Sequence, residues 1–441
     1  MFSGGRRRIV LVLWTLIAFS LPSIAQGSSG GLSGPGTGPS KKDADAQAQQ
    51  MRAHEVPTFQ VDPYWPRIPN NWVFGEVTAI NVDAQDHVWV LQRQDNIKYE
   101  TGRIAPPPVL EFDSEGNFLQ AWGGPGDGYE WPWGGEHSIS IDHKGYVWIS
   151  GSGTRHEDGN NQILKFTKDG KCVLQIGRAG QSKGNTDRNN MDGPAYADVY
   201  SKTNEVFVAD GYFNRRVIVF DADTGAFKRM WGAFGNLPTD PPPSVVVKGS
   251  QGEGTVVLPA TQASIPLELD EEGPGPQQFS NLHSLRVSND GLVYVADKAN
   301  RRIQIFTIEG KYVTQLFISR GKLPPSTLPG MAFGKRRRDI ANAYAKFPTS
   351  VNSMTFSADP EQRFMYVADR RRGQVLIYDR KALVYLGAIG DGPGTAPGQF
   401  STIHDLAVDS KGNLYTTEVE VPGNNRVQKF VFKGMSRVSM P

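Results

Sequence analysis

Along most of the chain, apolar residues come in short runs separated by Gly, Asp, Asn and Pro, a rhythm that suits strands joined by turns better than helices. One unit recurs six times. Its most legible part is a β-rich triplet with an aromatic centre: Val88-Trp89-Val90, Val147-Trp148-Ile149, Val206-Phe207-Val208, Val293-Tyr294-Val295, Met365-Tyr366-Val367 and Leu414-Tyr415-Thr416. Behind each comes a second run with an aromatic end, as in Val109-Leu110-Glu111-Phe112, Val217-Ile218-Val219-Phe220 and Val375-Leu376-Ile377-Tyr378. Ahead of each lies an alternating stretch such as Ile139-Ser140-Ile141-Asp142 or Leu406-Ala407-Val408-Asp409, turning through Asp-x-x-Gly or a relative of it. Tight turns such as Asp113-Ser114-Glu115-Gly116 and Lys168-Asp169-Gly170 lead into a further strand.

Four antiparallel strands per unit and six units predict an all-β chain folded as a six-bladed β-propeller, a radial array that leaves only short sheet edges. The sixth unit runs out after Phe430 with only a weak fourth strand near Val438, and residues 58–61, ahead of the first unit, form a strand with no other place. The ring is therefore expected to be sealed by its N-terminal strand. The propeller is expected over residues 57–441, with insertions at about 236–278 and 321–348. Arg6, Arg7 and Arg8 precede an apolar run over residues 9–21 and the small-residue pattern Ser23-Ile24-Ala25, so residues 1–25 read as a secretory signal. The run is short for a stable membrane span, and residues 26–56 lack the bulky apolar side chains needed to fold, which makes them a flexible linker. The expectation is an exported monomer, periplasmic or extracellular, with no membrane span after signal cleavage.

Charge and cysteine content narrow the function classes. Lys+Arg 47 against Asp+Glu 45 gives a net charge of +2, which excludes the broad positive field of a nucleic-acid wrap. The single cysteine, Cys172, allows no internal disulfide and no thiolate-cluster metal site, so any metal must be held through nitrogen and oxygen. Cys172 itself opens the fourth strand of the second unit and reads as a packing residue.

A four-stranded meander also fixes which loops share a face. Loops between the second and third strands, and crossings between blades, fall on one side, here the upper face; the long segments 92–107, 151–160, 236–278 and 321–348 all lie there. The residue opening the innermost strand is, around the ring, Thr78, His137, Ala195, His283, Asn352 and His404. Histidine thus takes alternate blades, about 120° apart in a sixfold ring, and three imidazoles are expected to converge on the axis. Three neutral nitrogens with room for a further ligand suit a catalytic zinc ion. The unit resembles the NHL repeat, in which a histidine near this point is itself common, but a decorative histidine predicts no alternation. Just past the second strands, on the same face, stand Arg93, Tyr212 and Lys298, a phenol and two cations able to move a proton and hold a carboxylate.

From about residue 75 to residue 433 the chain resembles the catalytic core of peptidyl-α-hydroxyglycine α-amidating lyases. The resemblance is carried by the alternate-blade histidines, by Ala209-Asp210-Gly211-Tyr212 and by Arg93 at the end of its strand. It implies zinc on His137, His283 and His404, a catalytic Tyr212, and a structural calcium held by Asp405 and by the backbone carbonyls of Ile80 and Ile139. It implies cleavage of the C–N bond of a small-molecule or peptide substrate ending in an α-hydroxyglycine-like group, to an amide and glyoxylate, with no redox cofactor. Two departures stand out. Lys298 replaces an arginine, keeping the charge without the bidentate fork, and the disulfides of the animal enzymes have no counterpart. The Lys335-Arg336-Arg337-Arg338 cluster matches nothing in the family pattern. Two other readings fit a propeller of this kind: a non-catalytic secreted NHL binding protein, and a gluconolactonase-like metal-dependent hydrolase, whose usual carboxylate and Asn calcium ligands contrast with the histidine column here.

Overall fold

The computed structural model describes residues 55–94, 103–152, 161–240, 244–248, 255–259, 268–269, 272–322, 351–370, 372–419 and 425–437. The expected signal, nearly all of the linker, the Lys335–Arg338 cluster and Val438 lie outside these residues. The described strands form six four-stranded antiparallel sheets arranged as a six-bladed β-propeller, together with two short two-stranded pairs. Five blades follow chain order. The first runs through Glu76–Val82, Val88–Arg93, Val109–Phe112 and Phe118–Trp122.

The sixth blade breaks that order and closes the ring. Its inner strands, Ile403–Val408, Leu414–Glu418 and Val427–Arg437, are joined on the outside by Glu55–Asp62. The closing pair is antiparallel, with Val61 opposite Phe430 and Glu55 opposite Arg437. Val56 is buried in the core between blades five and six, and Trp65, just past the strand, packs with its ring centroid 5.0 Å from Tyr415 and 5.8 Å from Phe112. The closing strand thus begins at Glu55, slightly before the boundary expected from composition.

Six hydrophobic clusters each lie between two neighbouring blades. Phe207, Trp231, Leu285 and Phe306, for example, join blades three and four, and Val77, Val88, Ala407 and Tyr415 join blade one to blade six. Burial of these faces holds the ring without a disulfide. In blades one, two and six the repeated aromatic of the second strand has a polar partner in the preceding turn: Trp89 Nε1 donates to Asp83 Oδ2 at 3.1 Å, Trp148 Nε1 to Asp142 Oδ2 at 2.9 Å, and the Tyr415 hydroxyl to Asp409 Oδ2 at 3.0 Å. That is the physical content of the Asp-x-x-Gly repeat: the carboxylate satisfies the ring's donor as well as the turn. Cys172 opens the strand Cys172–Ile176 and packs half-buried against the core of blades one and two.

The insertions carry the two extra strand pairs. Ser244–Lys248 pairs with Thr255–Pro259, and Glu268–Leu269 pairs with Gly321–Lys322, which stitches the end of one insertion to the start of the other. Among the described residues no helix is long and apolar enough to cross a membrane.

Candidate metal centre

The histidine column sits on a backbone irregularity common to all six blades. In each innermost strand the ladder skips at that point, between Val77 and Ala79, Glu136 and Ser138, Pro194 and Tyr196, Leu282 and Ser284, Val351 and Met354, and Ile403 and Leu406. A bulged residue leaves the pleat, so its side chain is re-aimed relative to its neighbours. Here the re-aimed side chains are Thr78, His137, Ala195, His283, Asn352 and His404. The three rings meet: centroids are 4.8 Å apart for His137 and His283, 4.9 Å for His137 and His404, and 4.8 Å for His283 and His404.

Each imidazole is anchored by the blade that follows it. Nδ1 of His137 lies 2.7 Å from the Ala195 carbonyl, Nδ1 of His283 is 2.7 Å from the Asn352 carbonyl, and Nδ1 of His404 meets the Thr78 carbonyl. The acceptors are the column residues of the three blades that lack histidine. A carbonyl can only accept, so Nδ1 carries the proton in all three and Nε2 keeps its lone pair. The three imidazoles are 2%, 2% and 7% exposed. Burial, reinforced by the charges of Arg93 or Lys298 and by the neighbouring imidazoles, holds all three well below the usual histidine pKa. His283 Nε2 is buried without a hydrogen-bond partner, a costly arrangement unless something binds there. Neutral, tautomer-fixed nitrogens from three residues, all within 4.8 Å of one another, fit a tetrahedral zinc ion with one open position.

Tyr212 reaches the same point. Its hydroxyl is 2.8 Å from His137 Nε2, and its ring centroid is 5.1 Å from that of His137 and 5.9 Å from that of His283. The preceding residues explain how. Asp210 accepts the backbone N–H of Asp192 at 2.8 Å, Asn214 Nδ2 at 2.8 Å and Arg216 Nε at 2.9 Å, the last two fully buried. Gly211 presses on the strand before His283: a Cβ there would stand 2.2 Å from the Leu282 carbonyl oxygen. Lys298 is delivered in the same way, since Asp297 accepts the Ser280 N–H, Asn300 Nδ2 and Arg302 Nε at 2.7, 2.7 and 2.8 Å. This Asp–Asn–Arg brace was not singled out from sequence, although Asp210, Asn214 and Arg216 and then Asp297, Asn300 and Arg302 spell it twice.

Arg93 ends its strand as expected and is buried. Its Nη1 donates to Glu76 Oε2 at 2.9 Å and its Nε to the Glu136 carbonyl at 3.0 Å. Burial opposes the charge, but Glu76, Tyr212 and Glu136 outweigh it and raise the pKa of the guanidinium. Lys298 is also buried, and its charge acts on all three imidazoles. Glu76 and Glu136 were missed by sequence reasoning.

The residues expected to hold calcium do not fit one. Asp405 Oδ1 accepts the Ser353 hydroxyl at 2.6 Å and Oδ2 accepts the Ile80 backbone N–H at 3.2 Å, so both carboxylate oxygens are already engaged by donors of the chain. Ile139 is ladder-paired opposite Ile149. The Arg286 guanidinium already stands 3.6 Å from Asp405.

With the site defined, the chain can be set beside known proteins. Residues 279–306, the start of the fourth blade through its third strand, match the NHL repeat. The chain carries an NHL repeat. It is 26% identical over 251 residues to human NHL repeat-containing protein 3, a match that covers 56% of this chain and 56% of that one. It is 24% identical over 418 residues to mouse peptidyl-glycine alpha-amidating monooxygenase, covering 90% of this chain and 33% of the other. It is 29% identical over 187 residues to a Drosophila melanogaster protein named peptidyl-alpha-hydroxyglycine alpha-amidating lyase 2, covering 39% and 42% of the two chains. The matched stretch thus spans little more than half of the NHL protein and a third of the monooxygenase. Among solved structures a streptogramin B lyase aligns over 85% of this chain and 98% of its own, with 12% identity and a TM-score of 0.45.

Proposed function

We propose that this NHL-type propeller is a zinc-dependent lyase that cleaves the C–N bond of a peptidyl-α-hydroxyglycine-like substrate. The observation that carries the reading is the meeting of His137, His283 and His404, with every Nδ1 committed to a carbonyl and one nitrogen from each ring within 4.8 Å of the others, beside the Tyr212 hydroxyl. Relatives named as amidating lyases support the choice of reaction. His137, His283 and His404 would hold zinc through Nε2. Bound there, the ion supplies Lewis acidity to an oxygen of the substrate.

The remaining work falls to the chain's own side chains. Tyr212 is the group placed to take the proton from the substrate hydroxyl. As that proton leaves, the electron pair of the O–H bond becomes the new carbonyl of glyoxylate, the C–N bond breaks, and the amide nitrogen gains a proton. Nothing is oxidised or reduced overall. Lys298 and Arg93 offer the positive charge that a glyoxylate-type carboxylate needs, with Arg93 held in place by Glu76 and the Glu136 carbonyl. Lys298 binds the carboxylate as a point charge, so recognition there is less directional than an arginine would give.

The deciding experiment measures zinc content and glyoxylate release from an α-hydroxyhippurate-type substrate for the wild type and for His283→Ala. One zinc per chain and turnover in the wild type, both lost in the variant, is the expected result. Undiminished glyoxylate release by His283→Ala overturns the proposal. A wild type that holds zinc and releases no glyoxylate points to another reaction on the same ion, and a wild type without zinc points to a binding module.

A further inference from the structure

Below the histidine column lies a second charged group that the lyase reading does not use. Arg286 follows His283 by three residues on the innermost strand Leu282–Val287 of blade four. Its Nη2 donates to the Leu406 carbonyl at 3.2 Å and lies 3.6 Å from Asp405 Oδ1, both in blade six. Its guanidinium carbon is 4.0 Å from the centroid of the Tyr196 ring in blade three, close enough for a cation–π contact. Asp198, also in blade three, interacts with the same charge. Blades four and six are not neighbours, so a side chain that starts on one and ends on the other crosses the central tunnel.

The surroundings are those of a cation site. Two carboxylates, a main-chain carbonyl and an aromatic face converge from two other blades on one buried position, and the Ser353 hydroxyl completes the link to Asp405 at 2.6 Å. Ser284 Oγ, beside His283, stands 3.3 Å from Ser353 Oγ and ties this layer to the histidine layer above. Oxygen-rich pockets of this kind suit calcium when they are open. Here the position is filled by the chain itself.

We propose that Arg286 serves as an internal replacement for a structural divalent cation, so that its guanidinium draws blades three, four and six together across the axis and the ring requires no calcium. The claim does not depend on which reaction the histidine site supports. It assigns Arg286 a tethering role: the two carboxylates would repel each other and splay the inner strands if the charge between them were removed. Deleting the guanidinium leaves Asp405, Asp198 and the Leu406 carbonyl facing a vacated space, a set of oxygen donors that a calcium ion can take up.

The test compares the wild type with Arg286→Ala by thermal unfolding, after calcium has been stripped on a chelating resin and zinc restored. The wild type is expected to contain no stoichiometric calcium and to unfold at the same temperature with or without millimolar calcium. Arg286→Ala is expected to unfold several degrees lower, and to regain much of that loss as calcium is added, in a saturable manner that magnesium does not reproduce. A wild type that retains one calcium per chain, or whose unfolding temperature rises with calcium, overturns the proposal without any variant. A folded Arg286→Ala that is indifferent to calcium overturns it as well. Zinc content of both proteins, measured in parallel, separates failure here from failure of the lyase reading.

Discussion

The Tyr212 hydroxyl lies 2.8 Å from His137 Nε2, the nitrogen left with a lone pair because Nδ1–H donates to the Ala195 carbonyl. A phenol and a candidate metal ligand therefore share one small volume, contributed by neighbouring blades. If the hydroxyl moves a proton in the reaction, Tyr212→Phe keeps the zinc content of the wild type and loses about a hundred- to ten-thousand-fold in kcat, the usual worth of a general acid or base. Equal loss of zinc and of rate would assign Tyr212 to holding the site instead.

Gly211 separates close packing from chemistry. Any side chain there collides with the backbone of Leu282, one residue before His283. Gly211→Ala is expected to cost about 1–3 kcal/mol in urea unfolding, the range for overpacking a tight site. The strand carrying His283 is what must yield, so zinc affinity should fall together with stability. Unchanged zinc affinity in a destabilised variant would show that the collision is relieved on the tyrosine side.

Asp192 supplies a pH dependence away from the imidazoles. Burial, aided by the Asp210 carboxylate, pushes its pKa up to about 6, while an unfolded chain leaves an aspartate near its ordinary value of about 3.9. Between those values the folded protein binds the extra proton, so stability is fullest at the acid end of the window and declines as pH rises through it. Asp192→Asn removes the ionisation, and its stability relative to the wild type should grow between roughly pH 4 and pH 6, levelling off at on the order of 1–3 kcal/mol. Parallel stability curves for the two proteins across that range would contradict the assignment.

Removal of residues 55–62 strips the outer strand from the sixth blade and exposes the edge of Val427–Arg437. The shortened protein is expected to unfold at a much lower temperature or to aggregate, and a variant melting with the wild type would show that the ring closes by other means.

Much of this was legible before any coordinates, for reasons that particular residues make plain. The column holding His137, His283 and His404 could be found because each inner strand has the same spacing to its aromatic, so one repeat aligns the others. Closure by residues 58–61 could be inferred because a propeller cannot tolerate a missing strand. The bulge that turns the column inward is a backbone event with no residue signature, since Thr78, Ala195 and Asn352 take it as readily as histidine. Glu76 could not be matched to Arg93, because a carboxylate at a strand start reads as solvent-facing until the neighbouring strand covers it. Arg286 reads as an outward polar residue on an alternating strand; only the circular arrangement reveals that Tyr196 and Asp405 lie across from it.

The contact from His404 to the Thr78 carbonyl joins residues 326 positions apart, the last blade to the first. The candidate site therefore straddles the boundary between the sixth and first blades, whose alignment depends on the pairing of Glu55–Asp62 with Val427–Arg437 inside the sixth blade. An ion held by the three imidazoles would tie blades two, four and six to one another across the axis, adding to the single strand pair that joins the two ends of the chain. A fragment without the sixth blade would lack His404 and one without the first would lack the carbonyl that fixes its ring, so ion capture, if it occurs, would report whether the circle has been completed.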